Sequence, residues 1–249
     1  MNFITFQRSA ELVGLLFLVS LLPIFLIGKK TDAAQRKTLW TKYFVYLFLV
    51  AGVLLAITCE WNFLLFPAIL LLGLGEMIYA VLKTKEKITV LQLSISFVLY
   101  GIIALAFLWL TRESRHILII LYTCIVVFDG VSQISGQLFG KRKIAPEISP
   151  AKTWEGFFGG ALVLVPTLSY LEPGGRFLQA LIVAILIAFV ALAGDLLASK
   201  FKRLCGTKDF SRLIPGHGGV LDRFDSFIAV GAAWSLLQLV LLLIFSLHF

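Results

Sequence analysis

The sequence predicts an all-α integral membrane protein: a polytopic bundle of about eight transmembrane helices, both termini on the non-cytoplasmic side. Three observations carry this. Of 249 residues, 59% are hydrophobic and 14% charged, and mean hydropathy is +0.96; a soluble domain is about 45–50% apolar and about 25% charged. Apolar runs of about 20 residues, enough to cross a hydrocarbon core of roughly 30 Å, recur along the whole chain. The basic residues cluster on alternate loops, as the positive-inside rule requires. An ordinary soluble globule, a disordered chain and a disulfide scaffold are excluded. Cys59, Cys124 and Cys205 form no even framework and read as small buried hydrophobes.

Taken in order, the spans are 10–28, 43–58, 61–82, 88–110, 117–138, 156–171, 177–198 and 226–247. The first lacks a basic leader and a small-residue cleavage site, so it reads as a retained span. The second and sixth are short. Only Cys59 and Glu60 separate the second from the third, which requires a tight hairpin. Gly52, Gly73, Gly75 and Gly101 offer places for close helix packing. The odd-numbered loops hold 18 of the 22 basic residues, Lys29 and Lys30 among them; Arg8, Arg112, Arg115 and Arg176 lie on the other side. That split places the odd loops in the cytoplasm. It also explains the net charge of +8 as topology signal and attraction to anionic headgroups, not nucleic-acid binding. No repeat or linker divides the chain, so 1–249 reads as one membrane domain. Within it, 1–115 holds the N-terminal spans and 116–249 the spans that carry the chemistry, with long cytoplasmic loops at 139–155 and 199–225.

Three acids fall inside spans, where a charge costs roughly 2.5–3.5 kcal/mol on insertion scales and is normally paired, cavity-lining or functional. Glu76 lies within two turns of Lys83 and reads equally as a paired structural acid. Asp129, Ser132, Gln133, Gly136 and Gly140 share one helical face. Such a stripe points into a bundle or cavity, and interhelical hydrogen bonding by Ser132 and Gln133 is its plainer use. Asp195, Ser199 and Lys202 follow i, i+4, i+7 spacing, one face if the seventh helix continues.

The loop 199–225 reads SKFKRLCGTKDFSRLIPGHGGVLDRFD. Five cations, Lys200, Lys202, Arg203, Lys208 and Arg212, precede Gly216-His217-Gly218-Gly219. Asp222, Arg223 and Asp225 then open the last span. Glycines let successive N–H groups face one anion, and a helix starting near Gly219 would add its amino-terminal dipole. The cations suit a polyphosphate; the carboxylates suit Mg²⁺, which is usually held by one or two carboxylates plus substrate phosphates. Antiparallel packing of the last two spans would bring Asp195 and Asp222 to similar depth, an arrangement like a metal site for phosphoryl transfer. His217 between glycines reads equally as a turn residue.

The run Ser199-x-x-Lys202-Arg203-x₄-Lys208-Asp209-x₅-Pro215-x-His217-Gly218-Gly219-x-x-Asp222-Arg223-x-Asp225 resembles the signature of the phosphatidate cytidylyltransferases. The block from Phe139-Gly140-Lys141 through Ser149-Pro150-x-Lys152-Thr153-Trp154-Glu155-Gly156 is similar to that family's other cytoplasmic loop, and Asp129 and Gly136 fit the segment leading into it. The likeness covers about the last half of the chain. It implies a CTP-dependent enzyme that moves CMP onto phosphatidic acid, giving CDP-diacylglycerol and pyrophosphate. By the same resemblance Asp195 and Asp222 would be metal ligands for Mg²⁺, with a monovalent cation such as K⁺ beside it. Lys202, Arg203, Lys208 and Arg223 would hold the triphosphate or lipid phosphate. Ser149, Lys152 and Thr153 would line the nucleotide side, and Ser199, His217, Gly218, Gly219 and Asp129 complete the substrate-binding set. A homodimer is also implied. Three departures leave the lipid acceptor open: Ser132 and Gln133 stand where Ala-Tyr is usual, Ala151 replaces a Lys, and the chain is short.

Rival readings are a CTP-dependent dolichol- or phytol-type kinase, a paralogue acting on another lipid phosphate, and a transporter. The polar residues gather at one face instead of midplane, against a transporter. Gly136-x-x-x-Gly140-Lys141 has one residue too few between its glycines for a P-loop. Size and the absence of a targeting extension suggest a bacterial inner membrane, with the site facing the cytoplasm.

Overall fold

The computed structural model describes residues 2–28 and 32–246. Eight α-helices fill these segments: α1 (Asn2–Gly28), α2 (Ala33–Thr58), α3 (Asn62–Lys83), α4 (Val90–Trp109), α5 (Arg115–Phe139), α6 (Trp154–Leu171), α7 (Phe177–Leu204) and α8 (Leu221–Ser246). A small antiparallel hairpin, β1 (Lys143–Ala145) and β2 (Ser149–Thr153), joins α5 to α6. All the helices except α6 are long and apolar enough to cross a membrane. α6 has 18 residues, opens on Trp154-Glu155 and contains Pro166.

Several helices outrun their apolar runs. α1 starts at Asn2 and α2 at Ala33, eight and ten residues before the expected ends. Hydropathy marks only the lipid-soluble part of a helix, whereas backbone bonding and caps decide its length. Asp32 Oδ1 accepts from the Gln35 amide at 2.7 Å and starts α2. Gln7 and Glu11, one turn apart on α1, bond at 3.0 Å. Thr89 and Gln92 form a capping box on α4, and Ser114 caps α5. α7 runs to Leu204, past the expected 198, because its last turns are held from outside, as shown below. The short turn between α2 and α3 is present, with Glu60 in the left-handed region at φ 62°. Lys29, Lys30, residues 247–249 and Met1 lie outside the described residues.

α5 is the hub. Leu118 through Phe128 are buried without a break, as expected of a helix apolar all round. Helices α1, α2, α6, α7 and α8 pack about it. Phe66, Phe107, Tyr122 and Phe227 interlock beside it at centroid separations of 4.9–5.6 Å, within the range of favourable aromatic pairs. The outer faces carry exposed Leu18, Phe48, Leu71, Leu105, Leu162, Phe189 and Leu242, the surface that lipid would cover.

Small residues set the closest approaches, because packing in lipid relies on van der Waals contact. A Cβ on Gly156 of α6 would stand 2.7 Å from the Ser132 carbonyl of α5, and one on Gly160 2.9 Å from that of Phe128. On α7, a Cβ at Gly194 would meet Ala229 of α8 at 2.4 Å. Of the four early-span glycines only Gly73 is crowded, by the Tyr100 hydroxyl at 2.8 Å; Gly52, Gly75 and Gly101 face open space.

The hairpin and the α3–α4 and α7–α8 loops meet at one end of the bundle. Thr84 Oγ1 donates to the Cys205 carbonyl at 3.0 Å, and Arg203 Nε to that of Ile148 at 3.1 Å. The opposite end is tied by Arg115–Glu60 at 3.1 Å and by His116 with Glu172.

Gly156→Ala should therefore lower stability by about 1–3 kcal/mol through overpacking. Gly52→Ala should be neutral or stabilise by up to about 1 kcal/mol, the helix-propensity difference. Thermal unfolding of both variants in detergent checks the contrast.

Candidate functional site

At the loop end a polar cavity of about 620 Å³ opens between α5, the hairpin, α7 and α8. Asp129 enters from α5, Lys152 from β2, Asp195 from α7, and Asp222, Arg223 and Asp225 from the first turns of α8. Ser132, Gln133 and Gly136 line it beside Asp129, so the helical stripe faces a cavity. The wall is completed by Tyr46 of α2, whose ring stacks on His217 at 5.7 Å.

The charges in this cavity are only partly paired. Lys152 Nζ sits 3.2 Å from Asp195 Oδ2. Burial pulls the Lys152 ammonium down, but Asp195, Asp129 and Asp225 together hold it above its ordinary range, so it stays charged. Asp225 Oδ1 accepts from the adjacent Ser226 amide at 2.7 Å. Asp225 Oδ2 is buried and, among the described residues, receives no hydrogen bond; Asp195 Oδ2 has only the ion pair with Lys152. Buried carboxylate oxygens without donors are costly. Asp129, Asp195 and Asp225 face Lys152, Arg223 and, at the exposed rim, Lys143; Asp195 and Asp225 each keep an oxygen that accepts no hydrogen bond among the described residues. Such a donor set suits a hard cation bound together with phosphate oxygens. No three His, Cys, Asp or Glu side chains form a closed metal cage among the described residues.

Asp222 is placed differently. Its Oδ1 accepts from buried Lys202 at 2.6 Å, and its Oδ2 from the amides of Phe210 at 2.9 Å and Gly219 at 2.8 Å. It lines the cavity while holding the incoming loop. Asp195, Ser199 and Lys202 do share one face of α7, since the helix continues, and Lys202 at its end reaches across to α8.

The amino end of α8 is satisfied from inside the protein. Glu76 of α3 accepts the Val220 amide at 2.9 Å, the Leu221 amide at 2.8 Å and the Ser211 hydroxyl at 2.6 Å. The anion that the sequence places at this helix terminus is thus a side chain, and Glu76 does not pair with Lys83, which donates to the Tyr79 hydroxyl. The Gly218-Gly219 pair makes this possible. Gly218 sits at φ 85°, where a Cβ would meet Asp222 Oδ2 at 2.8 Å; a Cβ on Gly219 would lie 2.6 Å from both Glu76 oxygens.

The remaining sequence candidates scatter. Thr153 lines the cavity, and its hydroxyl also caps α6 by accepting the Gly156 amide at 3.1 Å. Ser149 begins β2 opposite Ala145, outside the cavity lining. Ser199 is buried on α7 and does not line it either. Arg203 is exposed and clamps two loops, donating to the carbonyls of Ile148 at 3.1 Å and Thr207 at 2.9 Å. Lys208 lines a separate basin with Lys83, Lys85 and Arg212. Glu155 receives the amides of Lys141 and Arg142 at 3.0–3.2 Å, which fixes the turn before the hairpin; its own backbone amide first, then those of Lys141 and Arg142, hold its carboxyl below the usual range. Sequence reasoning did not select Tyr46, Glu76 or Asp225 for the site. Asp225 and Glu76 carried a signal, as acids at a span's mouth and within one; Tyr46 carried none.

Residues 5–241 match the cytidylyltransferase family. A phosphatidate cytidylyltransferase of Rickettsia typhi is 35% identical over 200 residues, 74% of this chain and 87% of the relative. That of Rickettsia prowazekii is 34% identical over 211 residues, covering 80% and 92%. That of Pseudomonas aeruginosa reaches 55% over 106 residues, 41% of this chain and 39% of the relative.

Two outcomes follow. Glu76→Ala leaves two amides and a hydroxyl without their acceptor and should cost about 1–3 kcal/mol or more, read as thermal stability. Burial, then Arg223, hold His217 below the usual imidazole pKa despite the opposing Pro215 carbonyl. Its NMR titration should fall under about 6.5 and rise in Arg223→Gln.

Proposed function

Because this chain belongs to the cytidylyltransferase family, we propose that it transfers CMP from CTP to phosphatidic acid, giving CDP-diacylglycerol and pyrophosphate in a membrane. The observation that supports this reading most is the cavity where Asp129, Asp195 and Asp225 face Lys152 and Arg223. A phosphate oxygen of the lipid attacks the α-phosphorus of CTP, and the bond from that phosphorus to the pyrophosphate oxygen breaks. A phosphate monoester is largely dianionic at pH 7, its second pKa being about 6, so the attack needs no strong base. What it needs is positioning and relief of repulsion between two anions.

Lys143, Lys152 and Arg223 are the cations that line the cavity and can receive phosphate oxygens. Their charge alone cannot offset three carboxylates and two phosphorylated substrates. Asp195 and Asp225 carry oxygens free to hold Mg²⁺; Asp222, the other ligand the resemblance implies, would have to share oxygens already given to Lys202 and two amides. When bound, the ion supplies charge neutralisation and Lewis acidity at the phosphates. Lys202 keeps Asp222 and the loop in place, and the Glu76 cap fixes the first turn of α8, so Arg223 and Asp225 enter the cavity from a rigid element.

Eight spans with both termini outside fit the charge distribution. Lys141, Arg142, Lys143, Lys200, Arg203, Lys208 and Arg212 all gather at the site end, which supports a cytoplasmic site by the positive-inside rule. CTP then enters from water and the lipid from the inner leaflet of a bacterial inner membrane.

In detergent with phosphatidate and CTP, Asp195→Ala should abolish turnover while the protein stays folded; Asp222→Ala should abolish it and also lower thermal stability, because Lys202 and two amides lose their buried partner. Lys152→Ala should lower kcat/KM by about 10²–10³, the scale for losing one preorganised charge-stabilising group. Arg8→Ala, at the other end, should change little. EDTA should stop turnover and excess Mg²⁺ restore it. Near-full activity in Asp195→Ala would overturn the assignment.

A further inference from the structure

A second cavity, of about 330 Å³, lies between α4, α7 and α8. Its volume falls within the range of small-molecule sites, about 300–1,000 Å³. Its body is apolar, built by Leu99 and Ile103 of α4, Leu197 and Phe201 of α7, and Ile228 of α8. Small side chains at Ala198 and Ala229, with Gly194, leave the space open. The end nearest the loops adds polar groups to the apolar lining: Gln92 and Ser96 stand in the first two turns of α4, and Lys200 near the end of α7, beside Leu204 and Phe210. Ile95, Leu99 and Leu197 are 58%, 39% and 45% exposed, so the cavity is a groove open along its side toward the lipid-facing surface.

Two features name the occupant. The groove is graded along its length, with a cation and two hydrogen-bonding side chains at the end where headgroups lie and hydrocarbon below. It also adjoins the reaction cavity, because Asp225 lines both. An amphiphile with an anionic head and an apolar tail matches the grading, and a molecule whose head must reach Asp195 and Lys152 matches the adjacency.

We propose that this groove binds an acyl chain of the lipid phosphate substrate, whose phosphate reaches the polar cavity past Asp225. The proposal rests on the function above. The chain enters sideways from the bilayer between α4 and α7, and CTP approaches from the hairpin side, so the two anions converge from different directions. The groove then sets acyl preference, since a tail that fills it contributes binding in proportion to the apolar area it buries.

Leu99→Trp and Ser96→Trp would fill the groove without touching the reaction cavity. Each should lower kcat/KM for dioleoyl phosphatidate about tenfold, equivalent to about 1.4 kcal/mol of lost chain binding. Turnover of dihexanoyl phosphatidate and the KM for CTP should stay within about twofold, the scatter expected of a site left intact. Leu162→Trp, on the outer face of α6, is the control and should leave both lipids unaffected. Equal losses for long and short chains, or no loss, would overturn the proposal. Folding of the variants need not decide it: phosphatidate with a diazirine in its tail, irradiated with wild-type protein, should label residues 92–103 and 197–204. Unlabelled phosphatidate should compete and phosphatidylcholine should not. Labelling elsewhere, or equal competition by phosphatidylcholine, would refute the groove. Wild-type protein that labels there but converts no phosphatidate would instead refute the proposed function.

Discussion

The buried carboxylate of Asp222 is the contact on which the site end depends. One oxygen takes the Lys202 ammonium at 2.6 Å, and the other takes the amides of Phe210 and Gly219. A single side chain thus joins the last turns of α7, the middle of the following loop and the first turn of α8. Losing one partner of such a pair strands a charge in low dielectric, typically at 3–5 kcal/mol. Glu76 extends the arrangement from α3 by accepting two further amides at the head of α8. With the helix terminus satisfied internally, Arg223 and Asp225 are fixed in the cavity instead of being ordered by substrate.

This frame separates structure from chemistry among residues that look alike in the sequence. Asp195, Asp222 and Asp225 are all acids at the mouth of two spans. Asp222 is saturated by donors, whereas among the described residues Asp195 Oδ2 meets only the Lys152 ammonium and Asp225 Oδ2 accepts no hydrogen bond. Lys202 and Arg203 are adjacent, yet one is buried against Asp222 and the other ties two loops from the surface. The two open carboxylate oxygens are where the proposed Mg²⁺ would be held together with substrate phosphates.

The fold was largely legible because hydropathy and charge asymmetry act locally. Each span appears in the chain as an apolar run, and the stripe from Asp129 through Gly136 points where its spacing says. The ends were less legible. Hydropathy is blind to the polar first turns of α1 and α2, which hydrogen bonds and caps sustain. The hairpin of β1 and β2 rests on loop pairing that leaves no periodic signal in so few residues. The site was half legible. Glycines at 218 and 219 were read as cradling a phosphate, and they do admit carboxylates, but those of Asp222 and Glu76. The contributions of Tyr46 and Glu76 come from the first half of the chain, and only the packing of α2 and α3 against α8 and its loop reveals them. Lys208 lines a separate basin beside the α3–α4 loop, a placement that its spacing from Lys202 does not reveal.

The central claim is that this cavity moves a nucleotidyl group, not a terminal phosphoryl group. It is tested most directly by which phosphorus of CTP reaches the lipid. Purified protein in mixed micelles with phosphatidate and Mg²⁺ would be given CTP labelled at the α-phosphorus or, separately, at the γ-phosphorus, and the organic phase counted. The account predicts α-label in a CDP-lipid, none from γ-label, and pyrophosphate released in equal amount. γ-Label in the organic phase with none from the α position would contradict it and make the protein a CTP-dependent lipid kinase.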